Sequence, residues 1–404
     1  MSLSTSQKMN NKKSTRQRVQ FTPQERRSSI LLALLFSSRM LGLFLLTPIF
    51  AVAAQSIPGG NNAVKVGIAL GAYGLTQAIM QMPLGLASDR FGRRPVIVAG
   101  MVLFIIGGIV SATAHSVEGI IVGRILQGLG AISAAITAWV ADATRPEVRT
   151  RAMAMVGSAI GLSFAVSLVL SPVLVGQFGL SGLFWAISLL GFVCLLIAAF
   201  AVPEYPQSEN LMQVSIREVL SHKDLLRLNL GVFVLHFILM TLFMVIPTLL
   251  TEVGGLSSAS LWQVYLPVIV LSFGFMVPVV IRTEVRKTHT KTLAHLVLAL
   301  VIVMAVMPWL SLSFWAIVIG LFVFFCLFNT LEALQPSLVS RVAPANYKGL
   351  AMGFYNTTQS LGVFGGSLAG GVVASMAGLQ WALWLGAVLA LVWWFSTRRL
   401  EAKL

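Results

Sequence analysis

The sequence predicts an all-α polytopic membrane protein, with twelve transmembrane helices in two pseudo-symmetric six-helix halves and both termini cytoplasmic. Three observations carry this prediction. Of the 404 residues, 57% are hydrophobic and 10% charged, whereas soluble domains carry about a quarter charged residues. Apolar runs near 20 residues recur along the chain, the length that spans about 30 Å of hydrocarbon as helix. The weak ten-residue alternation of a membrane β-barrel is not visible. Lys and Arg also collect on alternate loops.

Residues 1–27 are polar and basic without an apolar period, and read as a disordered tail. Arg26 and Arg27 precede an apolar run too long for a signal h-region, with no small-residue cleavage site. The expected spans are 28–53, 64–86, 94–113, 117–141, 152–175, 181–201, 226–250, 262–281, 291–308, 312–338, 348–375 and 379–397. The first and tenth run long, which predicts tilt or a kink. Spans 1–6 (28–201) and 7–12 (226–397) are nearly equal halves. Between them, residues 202–225 form a polar linker with Pro203, Glu204, Pro206 and Glu209 and a short helix-like run, 211–220. A short tail, 398–404, closes the chain. Two six-helix halves of like direction describe a parallel repeat, a common transporter plan.

With a cytoplasmic N-terminus, 25 of the 28 Lys and Arg lie in or beside the tails and the cytoplasmic loops. Lys65 stands on the opposite side, and Arg39 and Arg124 lie inside spans. This asymmetry follows the positive-inside rule. The net charge of +15 therefore reads as topology, with no nucleic-acid partner expected. Cys194 and Cys326 fall inside apolar spans and read as small buried hydrophobes; no metal site is expected. Neither a Gly-x-x-x-x-Gly-Lys-Ser/Thr loop nor a His-Glu-x-x-His helix occurs, and no enzyme activity or cofactor is expected.

The densest charge cluster of the first half joins spans 2 and 3. Residues 85–97 read Gly-Leu-Ala-Ser-Asp-Arg-Phe-Gly-Arg-Arg-Pro-Val-Ile. Gly85 permits two helices to approach, and Gly92 suits a turn with positive φ. Asp89 sits where a carboxylate can face a helix N-terminus. Arg90 and Arg94 read as orientation charges. The alternative is a solvated basic loop serving topology alone, which would require neither Asp89 nor the glycines.

This stretch, at this position, resembles motif A of the major facilitator superfamily. Gly-Arg-Ile-Leu-Gln-Gly-Leu-Gly around Arg124 resembles motif B of its proton-coupled members. Ser-Ser-Arg-Met-Leu-Gly-Leu-Phe-Leu-Leu-Thr-Pro in span 1 resembles the drug:proton antiporter branch. From about Thr22 to the end of span 12 the chain is similar to the YajR-like efflux transporters of that branch. The small cytoplasmic domain that follows span 12 in the group's namesake is not expected here, since the sequence stops at Leu404. The resemblance implies that Asp89 faces the start of span 11, near Lys348 and Gly349, and that Arg93 pairs with Asp142 at the end of span 4. Together they would latch the two halves while the cavity faces outward. It also implies a monomer.

Ionisable groups deep in a bilayer are functional candidates. Of thirteen acids, Glu332 on span 10 lies well inside a span. His236 lies on span 7, roughly 15 Å from its cytoplasmic end at 1.5 Å per residue. The resemblance implies that both helices border the cavity, so the two are candidates for a shared proton-coupling site. Burial disfavours an ionised carboxyl, and histidine titrates near neutrality. The simpler readings are a backbone hydrogen bond for His236 and a structural ion pair for Glu332. Arg39 and Arg124 are buried cations with no acid in their own spans; each either ties helices together or attracts anionic groups. Gln77, Gln81, Gln127, Asn329, Gln335, Asn356 and Gln359 line the cavity or bond neighbouring helices.

Span 5 carries Gly157-x-x-x-Gly161 and then Ser171-Pro172, and Gly157, Gly161 and Pro172 are expected as helix-packing positions. Antiporters of the superfamily place a glycine before this proline, so Ser171 departs from their motif C. Gly362, Gly366 and Gly370 on span 11 form a small-residue face for close packing or for rocking at the interface between halves. The expectation is a bacterial inner (plasma) membrane transporter that exports small amphipathic compounds by alternating access, with the proton as coupling ion. The bilayer, the substrate and protons are its partners. A metabolite facilitator or symporter is the alternative, and a non-transporting receptor or scaffold is the rival of another class.

Overall fold

The computed structural model describes residues 20–206, 219, 221–344 and 348–400. They are almost entirely helical, and no strand occurs among them. Eleven helices are long and apolar enough to cross a membrane. Pro146–Ala201, at 56 residues, makes two of the twelve passes.

The first pass is α1 (Pro23–Phe44), an irregular stretch at Leu45–Ile49 and a short α2 (Phe50–Ala53). The break falls around Pro48, which cannot donate to the helical ladder. The helix starts earlier than expected. Thr22 Oγ1 accepts from the Glu25 backbone N–H (3.2 Å), and the Glu25 carboxylate accepts from the Thr22 N–H (2.8 Å). This reciprocal cap orders the end of the stretch expected as a tail. Glu25 also binds Arg145 at the start of span 5, with Nε to Oε1 at 2.8 Å. That hydrogen bond raises the Arg145 guanidinium above its ordinary value. Residues 1–19, and most of the linker including its helix-like run, lie outside the described residues.

Helix α3 (Ala63–Phe91) is capped by the Asn62 side chain and stops at Gly92, whose φ is 96°. Helix α4 (Arg93–Ala112) follows at once. The fourth pass is bent: α5 (Val117–Leu129) and α6 (Ser133–Asp142) meet around Gly130, where a Cβ would run into the Gly100 carbonyl of α4. Helix α7 (Pro146–Leu196) reverses at Gly179, where φ is 68° and ψ −175°. A straight helix of that length would exceed about 70 Å, yet Ser163 bonds Ser37 of α1 while Ile187 lies beside Gly42 of the same helix.

The second half comprises α8 (Lys223–Glu252), α9 (Trp262–Arg286), α10 (His289–Leu310), α11 (Phe314–Val342), α12 (Lys348–Ala377) and α13 (Leu379–Thr397). Its pairings repeat those of the first half with a shift of six spans. Span 1 packs on span 5, span 2 on span 4 and span 3 on span 6; likewise 7 on 11, 8 on 10 and 9 on 12. These pairings are the two pseudo-symmetric halves in physical form.

The halves meet mainly toward the end of the molecule that carries Lys65. There α3 lies against α12: a Cβ on Gly74 would stand 2.8 Å from the Ser360 carbonyl, and one on Gly71 2.9 Å from the Phe364 ring. The first arm of α7 meets Ala259 through Gly176, and Tyr265 donates to the Pro48 carbonyl (3.2 Å). In mid-molecule, Phe164 of α7 contacts Phe44 of α1 and Phe243, Phe325 and Phe328 of the second half, at centroid distances of 5.1–6.3 Å. Toward the basic end the contacts stop. Gly349 and Gly353 have open space where a Cβ would point, and Gly85 meets only Ala134 of its own half. A cleft therefore opens on the face that gathers the basic charge, with the phenylalanine cluster as its floor.

Two expectations about small residues need correction. Gly157 and Gly161 pack against nothing within 4 Å, so they make no close helix contact in this conformation. Gly362, Gly366 and Gly370 do pack closely, but on Phe233, Phe237 and Thr241 of α8, inside the second half and not between halves. Pro172 lies inside the first arm of α7.

Candidate functional site

The second half places an acid and a histidine together beside the cleft. Glu332 stands ten residues before the end of α11, His236 thirteen residues into α8 and Gln359 eleven residues into α12, depths of about 15–20 Å from the basic end. Glu332 Oε2 lies 3.7 Å from His236 Nε2. Gln359 Nε2 bridges the pair, 2.7 Å from His236 Nε2 and 3.4 Å from Glu332 Oε1. The His236 side chain is 3% exposed and that of Glu332 32%, while Glu332 Oε2 is buried with no hydrogen-bond partner among the described residues.

The hydrogen bonds assign the histidine tautomer. His236 Nδ1 is 3.1 Å from the Val232 carbonyl, which can only accept. Nδ1 therefore carries the hydrogen in the neutral ring, and Nε2 accepts from the Gln359 amide. A proton on Nε2 would turn that nitrogen into a donor aimed at Glu332, and Gln359 would have to rotate its amide. One protonation event thus rearranges groups on three helices. Phe328 packs edge-on to the imidazole at 5.8 Å. Tyr355, on α12, is within electrostatic reach of Glu332, and its buried hydroxyl has no hydrogen-bond partner among the described residues. Nothing in the sequence marks Tyr355 apart from its place one helical turn before Gln359.

The other polar candidates of this half are dispersed. Asn329 donates to Ser272 Oγ of α9 (2.8 Å), a tie between helices. Gln335 is buried beside Trp393 and Gly231. Asn356 is half-buried, and its carbonyl accepts from Ser360 Oγ at 3.0 Å.

In the first half, Arg93 is the hub at the basic end. Its Nε lies 2.9 Å from Asp142 Oδ2, and Nη1 reaches Ser88 Oγ (2.8 Å) and Asp89. The sequence-predicted pair, Arg93 with Asp142, is thus brought together at the ends of spans 3 and 4. Asp89 turns to Arg93, and no described residue of α12 hydrogen-bonds it. Arg94 binds Glu204 (3.0 Å) and the Val202 carbonyl (2.8 Å). Arg90 is exposed beside the Phe91 ring.

Deeper, Arg39 and Arg124 both lie over the Tyr73 ring, at 5.9 and 4.7 Å from its centroid. Arg124 Nη1 donates to the Gly42 carbonyl (3.1 Å) and to Gln127 Oε1 (3.0 Å), tying α5 to α1. Gln77 and Gln81 follow Tyr73 on α3 and are also buried.

Residues 32–367 match the family model of the Major Facilitator Superfamily. The chain is 40% identical over 378 residues to the inner membrane transport protein YajR of Escherichia coli (strain K12), covering 92% of this chain and 83% of that protein. It is 27% identical to the multidrug resistance protein MdtH of Aeromonas salmonicida (strain A449), covering 86% and 87%. Among solved structures it resembles a D-xylose-proton symporter, with a TM-score of 0.74 at 14% identity over 93% of this chain and 98% of that one. It also resembles a bacterial homolog of the human lysosomal transporter Spinster in an inward-facing, unoccupied conformation, with a TM-score of 0.72 at 14% identity over 94% and 98%.

Proposed function

Because the chain belongs to the major facilitator superfamily and is a multi-pass membrane transporter, we propose that it exports small amphipathic compounds across a bacterial inner membrane in exchange for protons. The basic face is the cytoplasmic one in this reading, and the cleft is the inward-open stage of an alternating-access cycle. The positive-inside asymmetry supports that orientation. The name of the 40%-identical relative, an inner membrane transport protein, supports the membrane, and that of MdtH supports efflux.

One observation carries the coupling: Glu332, His236 and Gln359 form a linked group at the inner end of the cleft. Glu332 receives the proton, and His236 and Gln359 answer by exchanging hydrogen bonds between α8, α11 and α12. Neutralising a carboxylate at an interface of three helices changes the relative stability of two packings, as alternating access requires. A transmembrane potential of 100 mV supplies about 2.3 kcal/mol per charge moved, enough to drive uphill export. Cycling would then reassemble contacts on the basic face, where Asp89, Arg93 and Asp142 act as the latch of the outward-open state.

The test is Glu332→Gln in proteoliposomes carrying a pH dye. Substrate addition should move protons in the wild type and not in the variant; unchanged proton movement in the variant would defeat the coupling site. Ser171, standing where antiporters of the superfamily keep a glycine, favours a second reading, a proton symporter or facilitator. The sign of the proton movement separates symport from export, and a facilitator moves no protons in either protein.

A further inference from the structure

Arg39 and Arg124 place two permanent positive charges inside the first half. Arg39 is 1% exposed and Arg124 0%. Among the described residues, no carboxylate lies within 4.0 Å of either guanidinium. The acids of this half are committed elsewhere: Glu25 to Arg145, Glu118 to Lys65, and Asp89 and Asp142 to Arg93, while Glu147 is exposed at the basic end. Across the cleft, Glu332 is engaged by Gln359 and His236.

The two arginines differ in a telling way. Arg124 behaves as a structural arginine, donating to a helix carbonyl and a glutamine. Among the described residues Arg39 has no hydrogen-bond acceptor: Nε, Nη1 and Nη2 are all buried and unpartnered. The groups around it add unused capacity. The Tyr73 hydroxyl, Gln77 Oε1, Arg124 Nε and Nη2, and Gln127 Nε2 are also buried and unpartnered. A guanidinium keeps its charge under all physiological conditions, and an uncompensated charge at membrane depth is retained only where it has a use. Donors outnumber acceptors in this cluster, so what it lacks is an anion.

We propose that Arg39, with Arg124 and Tyr73 beside it, is the anchor for the anionic group of the substrate, a carboxylate or sulfonate on a small amphipathic compound. A guanidinium takes such a group through two parallel N–H bonds. Binding would require α1 to expose Arg39, and the irregular stretch at Leu45–Ile49 is the break in that pass that would permit it. Phe44, five residues along the same helix and in contact with Phe164, supplies apolar surface for the rest of the molecule. This inference rests on the transport reading above, but not on its proton coupling.

Equilibrium dialysis of the purified full chain in detergent, at fixed low chloride, tests it with benzoate and octanoate as probes and benzamide and octanol as neutral counterparts. At least one carboxylate should bind saturably at one per chain, and its neutral counterpart should not displace it. Arg39→Gln should weaken binding at least tenfold, Arg39→Lys should retain more of it, and Lys65→Gln, at the far end of the first half, should leave it unchanged. The proposal is overturned if neither carboxylate saturates, if the neutral compounds compete equally, or if Arg39→Gln binds as the wild type does. Displacement by equimolar chloride would identify an inorganic anion site and equally sink the substrate class. Should Arg39→Gln fail to purify, the comparison of charged and neutral probes on the wild type decides. Unchanged proton movement in Glu332→Gln, with carboxylate binding to the wild type intact, would remove the coupling reading alone.

Discussion

Arg93 holds two acids of the first half at once, Asp142 and Asp89. Its side chain is 12% exposed and that of Asp142 4%, so their pair is held away from water, while Asp89 is 27% exposed. Removing one partner of a buried ion pair costs about 3–5 kcal/mol, less where a second carboxylate remains. Asp142→Asn should therefore lower the thermal unfolding temperature in detergent more than Asp89→Asn does. The more exposed acid is the freer one to change partners as the halves close. Asp89→Asn should leave substrate affinity nearly intact while shifting the inward–outward balance, read as labelling rates of single cysteines on the two faces. If Asp89→Asn instead abolished binding with that balance unmoved, the latch role would fail.

Among the elements, α12 carries the sharpest packing constraint. Backbone of α8 lies against its Gly362 and Gly366, and α3 lies against its opposite side through Ser360 and Phe364. Gly366→Leu would drive a side chain into Phe237, and overpacking of this kind costs typically about 1–3 kcal/mol; Gly157→Ala meets open space and should cost nothing. Thermal unfolding of the two variants checks this, and equal loss in both would contradict the packing. The same helices mark what the sequence made legible. Hydropathy located the twelve passes because burial in lipid demands long apolar runs. The excess length of the first span predicted the tilt or kink that the break near Pro48 provides, but the break near Gly130 escaped the hydropathy, since an interrupted helix keeps the same apolar composition. Four-residue glycine spacing reported a close-packed face, but spacing on one helix carries no information about which neighbour fills it. Glu332 and His236 stood out as titratable groups in apolar surroundings, whereas Tyr355 and Phe164 are ordinary residues of such spans and acquire meaning only from what they touch.

For the whole molecule, the decisive feature is the asymmetry of contact between the halves. They are joined along α3 and α12 toward Lys65 and sealed in the middle by the phenylalanine cluster, while Gly349 and Gly353 in the first turns of α12 have open space where a Cβ would point. A transporter in this state exposes its interior to one compartment, and cycling requires the joined and free ends to exchange roles. Single cysteines read this directly once Cys194 and Cys326 are replaced. Gly353→Cys lies at the free end, and Ser360→Cys is 5% exposed at the joined region. A membrane-impermeant maleimide should modify Gly353→Cys rapidly in inside-out vesicles and not in right-side-out ones. Ser360→Cys should react slowly from either side. Conditions that populate the opposite state should protect Gly353→Cys, because closing the latch brings the start of α12 against α3. Labelling of Gly353→Cys from right-side-out vesicles would reverse the assigned orientation. Rates unmoved by substrate and by a pH gradient alike would mean that the halves do not rock, leaving a receptor or scaffold in place of a transport cycle.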